Sequence, residues 1–94
     1  MMNTEDILNE IRSLNDAERY EEALQKVDDI LKQDATNDTA WYIKGNIFKK
    51  QEKWQDAINC YTQAISINPK NPATTMRRIC IDILNFYDKT MYNP

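Results

Sequence analysis

Sliding the chain against itself by 34 residues brings like onto like. Tyr20 falls on Trp54, Ala23 on Ala57, Leu24 on Ile58 and Val27 on Tyr61. Further on, Ile30 meets Ala64, Leu31 meets Ile65, Asp34 meets Asn68, Ala35 meets Pro69 and Asn37 meets Asn71. A period of this length marks a supersecondary unit that cannot bury its apolar face alone and is completed by stacking on a neighbour. At 94 residues the chain is one small domain, 1–94, and has to pack efficiently or associate.

Within each unit the shorter period is helical. Ile7, Leu8, Ile11 and Leu14 mark a first helix, with Asn3 or Thr4 placed to cap it ahead of acidic residues. Tyr20, Ala23, Leu24, Val27, Ile30 and Leu31 mark a second, which KQDATND ends. Trp41, Ile43, Gly45, Ile47 and Phe48 lie on a third, and Trp54, Ala57, Ile58, Tyr61, Ala64 and Ile65 on a fourth. In NPKNP, Pro69 stops the fourth and Pro72 suits the first turn of a fifth, expected from about Pro72 to Tyr87. No segment shows sustained strand alternation, and the links are short enough to make consecutive helices antiparallel neighbours. The expected class is all-α. The single glycine, Gly45, stands inside the third helix, where it costs about 1 kcal/mol against alanine, so close packing at that point is expected to offset it.

Composition narrows the function. There is no histidine, and the two cysteines, Cys60 and Cys80, form no CxxC, so they read as small half-buried apolar side chains. No metal site or cofactor is expected, and no nucleophile has a recognisable base, so no enzyme is expected. The absence of a long apolar run argues against a membrane span, and the acidic N-terminus MMNTEDILNE does not read as a signal peptide; a cytoplasmic location is expected. Residues 1–40 hold eleven acids and four bases, a net −7, while residues 41–94 hold four acids and eight bases, a net +4. The overall charge of −3 argues against nucleic-acid binding. The polarity between the halves reads as ordinary helical surface, with head-to-tail contact between copies as the alternative.

Residues 38–71 resemble the tetratricopeptide repeat. Trp41, Lys44-Gly45 and Phe48 stand at that pattern's spacing on its first helix, and Ala57, Tyr61, Ala64 and Pro69 on its second; Lys44 replaces the usual Leu. Residues 4–37 are a looser copy, with Ile7, Glu10-Ile11 and Leu14, then Ala23, Val27, Ile30 and Ala35. The resemblance implies an α-α superhelix of two helix hairpins, 4–37 and 38–71, followed by a capping helix at about 72–88. It also implies a binding scaffold in which the first helices of successive hairpins line a concave groove for a partner protein or peptide.

Carried over by register, the groove set is Leu8 and Arg12 from the first helix, beside Glu5 and Asn15. From the third it is Tyr42, Asn46, Lys49 and Lys50, beside Thr39. From the fifth it is Met76, Arg77, Cys80 and Ile83, beside Leu84. This surface is acidic at one end, basic in the middle and apolar at the other. A clamp for the C-terminal carboxylate of chaperones is not expected, because its basic and amide places hold Leu8, Arg12, Ile43, Ala73 and Arg77. The fifth helix offers two faces. Register places Thr75, Ile79 and Asp82 toward the core, yet the apolar side is Met76, Cys80, Ile83 and Tyr87. A rotated cap and an apolar strip left for a groove ligand or a partner both fit that mismatch. A self-associating unit, joined through the fifth helix or the charged ends, is the alternative to the peptide-binding reading.

Overall fold

A computed structural model describes residues 2–92, with side chains described as far as residue 86. Five helices follow one another: α1 (Thr4–Asp16), α2 (Tyr20–Gln33), α3 (Asp38–Lys50), α4 (Trp54–Ile67) and α5 (Ala73–Tyr92). No strand occurs among the described residues, and the class is all-α, as the periodicity predicts. The last helix runs past the expected end near residue 88, because nothing from 87 to 92 breaks a helix and the next proline is Pro94.

The helix ends follow local chemistry. Asn3 caps α1, its Oδ1 accepting from the Asp6 N–H at 2.8 Å, while the Asp6 carboxylate accepts from the Asn3 N–H, a capping box. Asn37 caps α3 by a single bond, its Oδ1 accepting from the Ala40 N–H at 3.0 Å. The two hairpin turns are also alike. Arg19 N–H donates to Leu14 C=O and Glu18 N–H to Asn15 C=O; 34 residues on, Lys53 donates to Phe48 and Glu52 to Lys49. This is the Schellman arrangement, which requires a left-handed residue, and Glu18 (φ 62°) and Glu52 (φ 60°) take that conformation without being glycine.

Two apolar clusters are joined by α3. Ile11, Ala23, Val27, Ala40, Ile43 and Ile47 centre the first; Ala57, Tyr61, Ala64, Ala73 and Cys80 centre the second. Trp41 and Tyr42 pack against both. At Gly45 the Tyr61 ring of α4 lies against the backbone of α3. A Cβ added there would lie 3.0 Å or less from three atoms of the Tyr61 ring, which is itself fully buried. The close approach is therefore ring against backbone, and the small Ala57 and Ala64 are buried in the same cluster as that ring. In the first hairpin the same two places hold Ile11 and Val27, both fully buried. One gap is filled by two branched aliphatics in one hairpin and by a glycine and a tyrosine in the other.

Lys44, the departure from the repeat pattern, also has a physical account. Its ammonium lies 2.7 Å from Asp28 Oδ1 on α2 and 5.5 Å from the centre of the Trp41 ring. An ion pair and a cation–π contact hold a long polar side chain where leucine would otherwise pack.

The orientation of α5 resolves the two-faced pattern in its sequence. On α3, Ala40, Ile43 and Ile47 are buried against the first hairpin. The same 34-residue register would bury Thr74, Arg77 and Ile81 on α5. Instead Ala73 and Cys80 are fully buried and Met76 packs against the second cluster, while Ile81 is 38% exposed. The buried set has slipped back by one residue, a turn of roughly 100° about the helix axis. Burial follows the apolar side chains, because Thr74 and Arg77 would have to leave water to keep the original register. Thr75, Ile79 and Asp82, expected to face the core, are exposed. Tyr87, which the sequence adds to the apolar side, lies outside the residues whose side chains are described.

Candidate functional site

The first helices of the two hairpins pack against each other, α1 beside α3. Along their junction runs a shallow cleft lined by Thr4, Glu5, Leu8, Arg12, Asn37 and Thr39. Further along α3, on the helical stripe that begins with Thr39, come Tyr42, Asn46 and Lys49, all half-buried.

Tyr42 sits where the two cores meet. Its ring centre is 6.0 Å from that of Tyr61, with the planes inclined at 42°, a tilted contact favourable to both rings. The Tyr61 hydroxyl donates to Asn46 Oδ1 at 2.5 Å. Burial first, then the neighbouring Cys80, Tyr42 and Cys60, holds the Tyr61 phenol far above its usual range, so it remains a protonated donor. The amide of Asn46 is thereby fixed through its oxygen, which leaves its NH2 end as the part that can meet a ligand. Arg12 is exposed and donates to Asn9 Oδ1 at 2.9 Å.

The remaining sequence candidates have other places. Leu8 and Cys80 are buried in the first and second clusters respectively. Met76 packs into the second cluster and Ile83 is half-buried on the same side of α5, so the apolar end expected of the groove is turned inward by the slip of α5. Arg77 reaches α4, with its Nη1 3.4 Å from Thr62 Oγ1. Lys50 crosses to the end of α1, donating to the Asn15 and Asp16 carbonyl oxygens at 2.9 and 3.1 Å. It satisfies the C-terminal carbonyls of that helix and complements its dipole. Of the ten residues, Arg12 stays exposed on α1, and Tyr42, Asn46 and Lys49 stay half-buried along one stripe of α3.

Sequence reasoning missed the residues that hold this face in place. Asp38, at the first position of α3, accepts from Asn71 Nδ2 at 2.8 Å and from Asn68 Nδ2 at 3.0 Å. Asn71 is buried, and its Oδ1 also caps α5 through the Ala73 N–H at 2.8 Å. These bonds, from Asn71 first and then Asn68, hold the Asp38 carboxyl below its ordinary value of 3.8. The signal was present in the 34-residue pairings of Asp34 with Asn68 and of Asn37 with Asn71. Burial pushes the Cys60 thiol up to about 11 and raises Cys80 as well, with Lys49 opposing the latter. Both cysteines are free. Among the described residues no group of His, Cys, Asp or Glu is arranged to hold a metal, and no helix is long and apolar enough to cross a membrane.

Comparison with known proteins agrees with this architecture. The family model for the tetratricopeptide repeat matches residues 39–71. The chain is 33% identical over 55 residues to the TPR repeat-containing protein MJ1428 of Methanocaldococcus jannaschii, covering 58% of this chain and 10% of that protein. It is 35% identical over 68 residues to Hsp70-Hsp90 organizing protein 2 of Arabidopsis thaliana, covering 72% of this chain and 11% of that protein. The chain thus spans about a tenth of the length of these two relatives. The solution NMR structure of Bacteroides fragilis protein BF1650 is similar over 98% of this chain and 91% of its own, with a TM-score of 0.84 and 40% identity. The second hairpin carries the repeat pattern, the whole chain shares its fold with a relative of similar extent, and the protein belongs to the tetratricopeptide repeat family.

Proposed function

We propose that the chain is a protein-interaction module, without chemistry of its own, that holds a segment of a partner protein across the face shared by α1 and α3. Repeats of this family generally mediate protein–protein interaction. The observation that carries the reading is the set of half-buried polar and aromatic side chains on α3, with Tyr42 anchored between two cores and Asn46 fixed by Tyr61. Aromatic residues held in this way, beside a small number of oriented polar groups, suit recognition better than a smooth charged helix does. Arg12 and Lys49 favour acidic side chains on the partner, Asn46 a carbonyl, and Tyr42 an apolar or planar group. Free, buried thiols agree with a cytoplasmic setting.

The name of the Arabidopsis relative links that protein to Hsp70 and Hsp90. A carboxylate grip on chaperone tails does not carry over, since Leu8, Ile43 and Ala73 occupy three of its five places and all are buried. The test is selection from a library of displayed acidic-aromatic peptides, followed by NMR titration of the winner. Binding shifts confined to α1 and α3, and lost in Tyr42→Ala and Lys49→Glu, support the reading. Shifts centred elsewhere, or retained in both variants, refute it.

A further inference from the structure

The outer stripe of α5 has no role in the reading above. Thr75, Ile79, Asp82 and Phe86 recur at intervals of four, three and four residues, the spacing of a seam along which a second helix lies. All four are exposed, Ile79 by 39% and Phe86 by 67%. Arg78, also exposed, flanks the stripe one turn before Asp82. Neither charge is in an ion pair among the described residues, so the stripe presents one cation and one anion beside apolar surface.

The charge order selects the occupant. A second α5 laid parallel to the first would set Arg78 against Arg78 and Asp82 against Asp82. Laid antiparallel about a two-fold axis between residues 80 and 81, each Asp82 comes beside Arg78 of the other copy, twice over. The two Ile79 side chains then approach to within one turn, and Phe86 covers Thr75. An isologous contact needs this kind of self-complementarity. The other end of the molecule lacks it. There the α1 residues in register with Ala40, Ile43 and Ile47 are Asp6, Asn9 and Ser13, all exposed and polar. Head-to-tail stacking, which the charge polarity of the chain would assist, would therefore set the α5 stripe against these polar residues at the acidic end.

We infer that the outer stripe of α5 is a docking surface for α5 of a second copy of this chain, antiparallel and two-fold symmetric. A single helix seam falls among the smallest specific interfaces, so the dimer is reversible and fills with concentration. Sedimentation velocity from about 10 µM to about 1 mM, the range over which such a contact titrates, measures it directly. Ile79→Glu is expected to leave a monomer at every concentration. Arg78→Asp and Asp82→Arg alone are each expected to weaken association roughly five- to tenfold through like-charge contact, and the combined swap to restore it. These residues are exposed, and circular dichroism of each variant verifies the fold. A wild type that stays monomeric overturns the inference, as does growth beyond a dimer or a swap that restores nothing. Because Tyr42 and Lys49 are not part of this surface, either result leaves the groove reading to its own test.

Discussion

Gly45 and Tyr61 behave as a single packing decision. The ring occupies the volume that any Cβ at residue 45 would need, so Gly45→Ile alone is expected to cost at least about 1–3 kcal/mol through overpacking. Tyr61→Val alone opens a cavity and removes the donor to Asn46, and costs about 2–4 kcal/mol. Combined, they recreate the Ile11–Val27 pair of the first hairpin. The double variant is expected to recover about 1–3 kcal/mol relative to the sum of the singles. Urea denaturation of the four proteins measures this coupling, and strict additivity would refute it. The hairpin turns make a second residue-scale case. Glu18 and Glu52 hold left-handed backbone that glycine adopts freely. Each change to glycine is expected to stabilise by about 0.5–1 kcal/mol, the left-handed cost relieved less the added chain entropy, seen as a higher urea midpoint at unchanged slope.

At the scale of elements, the join between α3 and α5 rests on Asp38, Asn68 and Asn71. The Asp38 carboxyl is lowered in the folded state, so its contribution is fully present above the unfolded value near 3.8 and fades as pH falls through the folded one. Stability measured from pH 6 down to about pH 2 is expected to show an acid-side loss that Asp38→Asn reduces. An identical acid limb in that variant would exclude Asp38 as a contributor. The thiols report on element motion. Both are buried and raised, so they are unreactive in the closed fold. Cys80 lies between α5 and its neighbours, and α5 packs against α4 alone among the principal helix contacts. Labelling with an aromatic disulfide reagent in single-cysteine variants is therefore expected to reach Cys80 well before Cys60; the reverse order would show α5 to be firmly docked.

Much of this element structure was legible beforehand. The helical period placed five helices, and the 34-residue register related the apolar faces of the two hairpins, because each hairpin repeats the same burial. The slip of α5 was not legible from register alone, since register carries Thr74, Arg77 and Ile81 into the buried places and takes no account of which side chains can leave water there. The apolar side chains Met76, Cys80 and Ile83 were the correct guide to that helix. Groove residues were less legible than core residues for a related reason. Lys50 looked like a ligand-facing lysine on its own helix, but its long side chain finds the carbonyl end of α1, a partner 34–35 residues away in sequence.

For the whole molecule, α3 is the element that both clusters require, and α5 serves only one of them. Native-state hydrogen exchange is expected to find the slowest amides in α3 and the fastest helical ones in α5. Equal protection in the two would mean that the clusters open together. The molecule extends 57 × 29 × 18 Å, so its proposed ligand surface is confined to part of a narrow slab.

The slipped register of α5 has a consequence for reach. Because that helix turns Met76 and Cys80 inward, the proposed recognition face is left with two helices of 13 residues each, about 20 Å long. A partner segment of about six extended residues spans that length. Recognition on such a footprint reads a short word rather than a domain, and contacts this small belong to the transient class. Two copies joined through α5 would read two such words at once, and a partner carrying them in tandem would be held by avidity rather than by any new contact.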